Sequence, residues 1–134
     1  MQTGGKIMSQ LSWLRLAQDL FSKNKDYTNI PEKHAHWIVE VFDAVLNSLE
    51  SIKNEACQTP AGFRWFSGQL KINPVSAFVV DKIDFIRKSK SDSAKINLLF
   101  ENFPGNQNLY LLISKLLNEL EKIIDSGLNR YISG

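Results

Sequence analysis

Residues 31–56 read PEKHAHWIVEVFDAVLNSLESIKNEA, and the spacing of their apolar residues sets the fold class. Ile38, Val41, Phe42, Val45, Leu49, Ile52 and Ala56 recur at steps of three and four, while Glu40, Asp43, Asn47, Glu50 and Asn54 fill the opposite side. That period puts the apolar residues on one face of an α-helix. Pro31 suits the first helical turn, where its missing N–H has no intrahelical partner to lose. About 25 helical residues make a rod of roughly 37 Å. A rod that long with one apolar stripe needs other helices to cover it.

The flanking sequence supplies them. Thr59-Pro60 pairs an N-cap residue with a proline at the first helical position, predicting a short helix over 60–69 that carries Phe63, Trp65, Phe66 and Leu70. Asn73-Pro74 repeats the signal and predicts a helix over 74–88 with Val75, Phe78, Val79, Ile83 and Ile86 on its apolar face. Val80 and Phe85 lie off that stripe, which implies cover on two sides. After the polar run 89–93, Ser91 or Asp92 is expected to cap a short helix holding Ile96, Leu99, Phe100 and Phe103. Pro104-Gly105-Asn106 reads as a turn. The last helix, 107–126, has a stripe of Leu109, Leu112, Ile113, Leu116, Leu120 and Ile123, with Gly127 as its expected stop. Upstream, Trp13, Leu16, Ala17 and Leu20 mark a helix over 9–23, with Leu14 and Phe21 widening its stripe.

No segment alternates with β period. The expected fold is all-α, a compact helical bundle of about four main helices plus one or two short ones, in a single domain over 8–134. Residues 1–7 are expected to be an unstructured leader or a vector remnant. Phe42, Val45 and Leu49 are expected to pack against Leu112, Leu116 and Leu120.

A chain of 134 residues, 43% hydrophobic and 22% charged, is of ordinary globular composition and long enough to bury a core without metal or disulfide. Its single cysteine, Cys57, excludes an internal disulfide and fits a reducing compartment. No apolar run approaches the length of a membrane span. The expected location is cytoplasmic, away from membranes. The net charge of +2 is small but unevenly placed: residues 1–25 carry +3, residues 26–58 carry −4 and residues 82–95 carry +3.

Motifs for catalysis are missing. There is no Gly-x-Ser-x-Gly elbow and no phosphate or dinucleotide loop. Cys57 lies one helix length from His34 and His36, too far along the same rod for a thiol–imidazole pair, and reads as a structural thiol. Glu32, His36 and Glu40 form an i, i+4, i+8 row. Di-iron bundles, however, require Glu-x-x-His pairs on two helices, and this chain has none. No enzymatic activity, metal or cofactor is expected.

Two segments remain. Phe63-Arg64-Trp65-Phe66 is the densest aromatic cluster, and four neighbours on a short helix cannot share one inward face. At least one ring is expected at the surface, and Trp and Arg are favoured at interfaces. Arg87, Lys88, Lys90 and Lys95 form the most basic stretch, suited either to phosphates or to a helix C-terminus. The first reading is therefore a protein-interaction or regulatory module, a homo-oligomer or a subunit of a complex, contacting itself or another protein through residues 63–66. Acidic 26–58 could meet basic 82–95 of the same or another copy. The alternative is an accessory nucleic-acid-binding protein using basic segments 15–25 and 82–95 on one surface.

Overall fold

The computed structural model describes residues 12–23, 32–89, 93–101, 103 and 109–131, and every regular element among them is helical. In chain order these are α1 (Ser12–Lys23), α2 (Glu32–Ala56), α3 (Pro60–Ile72), α4 (Pro74–Asp81), α5 (Ile83–Ser89), α6 (Ser93–Leu99) and α7 (Leu109–Tyr131). The long helices α2 and α7 pack together at the centre; α1, α3 and α4 also pack on α7, and α3, α4 and α6 on α2. Phe42, Val45, Leu49, Leu112, Leu116 and Leu120 are all buried in one apolar core. Residues 1–7, expected to be a leader, lie outside the described residues, as do the expected caps Ser91 and Asp92 and the turn 104–106. No helix among the described residues is long and apolar enough to cross a membrane.

Rings tie the outer helices to this pair. Phe21 of α1 lies 5.1 Å from Trp37 of α2 and 5.5 Å from Tyr110 of α7. Phe100, just past α6, sits 5.8 Å from Phe42 and 5.1 Å from Phe78, with Phe103 against Phe78 edge-on at 5.1 Å. Such tilted and edge contacts are the favoured aromatic geometries.

Four local expectations are revised. In α1 the buried residues are Leu14, Ala17 and Phe21, whereas Leu16 is 74% exposed. The apolar stripe was wider than the strip its neighbours cover, and α7 and α2 took its Leu14 edge. The expected single helix over 74–88 breaks at Lys82 (φ −108°, ψ 13°), whose N–H is shared between the Phe78 and Val79 carbonyls at 3.2 and 3.1 Å. No glycine or proline imposes this break; the backbone tightens locally, leaving Val75, Val79, Ile83 and Ile86 all buried across the bend.

Asn73 does not cap α4 with its side chain. Its Nδ2 instead donates to the Gln69 carbonyl at 2.8 Å, closing the end of α3. The buried N–H groups at the start of α4 find a partner on another helix. Glu119 of α7 is only 4% exposed, and its carboxylate accepts from Ser76 N at 2.8 Å and Val75 N at 3.4 Å. A carboxylate at a helix N-terminus meets both orphan donors and the positive end of the dipole. Thr59 behaves as the sequence predicts: it is extended, Pro60 follows, and its Oγ1 accepts from Gly62 N at 3.0 Å.

Gly127 does not stop α7, which runs on to Tyr131. A Cβ there would lie 2.6–2.7 Å from the Trp65 indole and 2.9 Å from Tyr131. The glycine is a socket for the indole. Gly62 is constrained differently, since a Cβ would run into the Ala56 carbonyl where α2 turns into α3.

Two stability outcomes follow from these contacts. Gly127→Ala should destabilise the protein by about 1–3 kcal/mol through overpacking, whereas Gly68→Ala, where a Cβ meets nothing within 4 Å, should stabilise by about 0.5–1 kcal/mol. Denaturant unfolding measures both, and the same sign at both positions would remove the socket reading. Glu119→Ala should cost about 1–3 kcal/mol by leaving buried donors unpaired, with Glu119→Gln, which keeps an acceptor oxygen, losing clearly less. Equal losses for the two would show that packing rather than capping is at work.

Candidate functional site

The polar row of α2, Glu40, Asp43, Asn47, Glu50 and Asn54, does not look onto open solvent alone. It forms one wall of a trough whose other wall is α4, α5 and α6. The trough has two hollows. The first, about 380 Å³, has Phe42, Leu46, Ile86 and Ile96 along its floor and Glu40 and Asp43 beside them. The second, about 450 Å³, is lined by Leu70, Ala77, Val80 and Ile83, with Glu50, Lys53, Asp81 and Asp84 as its charged groups. The two hollows share no lining residue and together face about 22 Å of α2, from Val39 to Asn54.

Arg87 lines the first hollow and reaches across to α2 between the two. Its guanidinium donates to Asn47 Oδ1 at 2.9 Å and Glu50 Oε1 at 2.7 Å, strapping α5 to α2. The most basic segment therefore meets the most acidic one within a single chain, and its only arginine is already engaged. Nε of Arg87 is buried and unpaired among the described residues. Lys88 and Lys95 are exposed, and Lys90 lies outside the described residues.

The segment 15–25 does not join them. Arg15 is exposed, and Lys23 pairs with Asp19 at 2.9 Å. A third, small hollow of about 180 Å³ lies between α1 and α2, bordered by Trp13, Leu16, Trp37 and Glu40. Glu40 thus borders both the α1 side and the trough side of α2. The acidic ridge of α2 stands between the two basic segments.

The aromatic cluster splits. Phe66 is buried, Phe63 is 55% exposed and Arg64 is exposed. Trp65 is half-buried against α7, with Nε1 donating to Ser126 Oγ at 2.9 Å and its ring stacked on Tyr131 at 5.1 Å and 20°. One ring does reach the surface, and it is Phe63, while Trp65 latches α3 onto the end of α7. In α2, His36 Nε2 lies 2.9 Å from Glu40 Oε1. Among the described residues no three histidines, cysteines or carboxylates are grouped to hold a metal, and the side chains of Glu32 and His34 lie outside the description. Cys57 is half-buried and unbonded.

No protein-family model matches this chain, and no match to it is found among curated proteins or solved structures. The geometry alone has to carry the functional reading. Sequence reasoning placed the polar row of α2 but not its opposing wall. Asp81, Ile83 and Asp84 line the second hollow from either side of the break at Lys82. No sequence signal marks that bend.

The strap and its lysine neighbour should differ in unfolding experiments. Arg87→Gln is expected to cost about 0.5–1 kcal/mol, the discounted value of a partly exposed pair, and Lys88→Gln nothing measurable. A neutral Arg87→Gln would mean that the strap contributes no stability.

Proposed function

We propose that this chain is a protein-interaction module that takes a helix of a partner protein into the trough between α2 and α4–α6. Two neighbouring hollows along α2 carry the reading, each with apolar side chains in its lining and charged groups beside them. A site of this kind suits the apolar face of an amphipathic helix. An extended peptide fits less well, because an all-helical surface offers no strand edge for its backbone N–H and C=O groups. The alternative of nucleic-acid binding is disfavoured by charge placement. Arg87 is spent on Glu50 and Asn47, and Glu40 separates α1 from α5 and α6.

The test uses a fluorescent 15-residue helical peptide with leucines on one face and uncharged glutamines on the other. Wild-type protein should bind it saturably in an anisotropy titration. Val39→Trp combined with Ala77→Trp, which fills both hollows, should weaken binding by about ten-fold or more, as obstruction of a contact patch does. Circular dichroism confirms that the variant keeps its helices. Equal binding by wild type and filled variant would move the interaction off the trough. Self-association of the wild type in sedimentation, lost in the filled variant, would make the occupant a second copy.

A further inference from the structure

Helix α5 stands between the two hollows: Ile83 and Asp84 line the second, Ile86 and Arg87 the first. Its hold on the rest of the fold is slight. Every other described helix packs broadly on at least one neighbour, whereas α5 does so on none. Two buried isoleucines, Ile83 and Ile86, and the bonds of Arg87 to Asn47 and Glu50 keep it in place. The Arg87 and Glu50 side chains are 37% and 38% exposed, and Arg87 Nε is buried without a partner among the described residues. At its start α5 meets α4 through the break at Lys82, where one N–H serves two carbonyls. On the other side of that break α4 is fixed to α7 by Glu119.

We infer that α5 is a hinged gate, which swings about Lys82 when the Arg87 latch releases and joins the two hollows into one groove along α2. This rests on the interaction reading above and adds the step by which a partner gains access. In the closed form Phe42, Leu46, Ile86 and Ile96 of the first hollow are 5% exposed or less, so little apolar surface is on offer. Opening uncovers the inward face of α5 and removes the Arg87 bonds that cross between the hollows. Segments held by few buried contacts are the ones that open at a lower free energy than the whole fold. The open form is a minor state of the free protein, and a partner that binds it alone draws the population across.

Native-state hydrogen exchange on the full chain tests the gate. The amides of Ile86, Arg87, Lys88 and Ser89 should exchange through an opening of small denaturant dependence, well before those of α2, α4 and α7. Exchange of α5 together with α4, or only with the unfolding of α2 and α7, overturns the hinge, and an unprotected α5 overturns the closed form. After correction for intrinsic rates, Arg87→Gln should speed α5 exchange about 2–5-fold, the scale of a partly exposed ion pair. Lys88→Gln should leave it unchanged, and equal effects of the two substitutions overturn the latch. The leucine–glutamine peptide then separates the gate from the interaction reading. At saturation it should deprotect the α5 amides, and Arg87→Gln should bind it about 2–5-fold tighter, because apparent affinity follows the open fraction. Binding that leaves α5 protected, or that is no tighter in Arg87→Gln, overturns the gate and keeps the interaction reading. Absence of any binding overturns the interaction reading, while the exchange rates still decide the hinge and the latch.

Discussion

The seam between α2 and α7 is the surface on which the other helices pack. Val45, Leu49, Ile52, Leu116, Leu117 and Leu120 are buried to 2% or less, and each such side chain contributes about 1.5–3 kcal/mol when removed from water. Neither helix can hide its stripe alone. Once they pair, the remaining apolar edges of α7 take α1, α3 and α4, and those of α2 take α3, α4 and α6. The short helices α4, α5 and α6 are below the length at which isolated helices hold together in water. They owe their form to this seam and to the ring of Phe100, which lies against both Phe42 and Phe78.

Polar contacts then fix orientation where apolar packing would tolerate several arrangements. Glu119 holds the start of α4 by two backbone donors, which fixes both the position and the direction of that helix relative to α7. Trp65 is seated over Gly127 and bonded to Ser126, so α3 can approach the end of α7 only at one register. Arg87 ties α5 to α2. Each contact joins residues that are distant in sequence, and the Arg87 pair fixes the spacing of α5 and α2. The proposed site lies where the short helices meet α2, with core side chains Phe42, Leu46, Ile86 and Ile96 in the lining of its first hollow.

Charge placement gives the trough its character. A chain with +2 overall would be read as weakly basic, and its basic stretches as surfaces for anions. Folding redistributes that charge: Arg87 pairs with Glu50, α2 keeps its carboxylates along one edge, and Asp81 and Asp84 line the second hollow from α4 and α5. Carboxylates outnumber cations in the lining of each hollow, on a chain that is weakly basic overall.

What the sequence determined by itself was everything governed by local periodicity and local caps. The three- and four-residue spacing in 31–56 and 107–126 is strong enough to specify helices and their inward faces whatever surrounds them. Thr59-Pro60 starts α3 through bonds confined to four residues. Where two apolar edges were available, as in α1, the sequence could not say which one a neighbour would cover, and Leu16 ended outside. Gly127 reads as a stop because glycine is poor in helices; only the indole of Trp65, 62 residues earlier, explains a glycine inside one. The cap of α4 lies 43 residues away on α7, and the bend at Lys82 has no breaker residue to announce it. Those features follow from which surfaces meet. Meeting is decided by the packing of the whole core, and for that reason the helices were legible in the sequence while the trough between them was not.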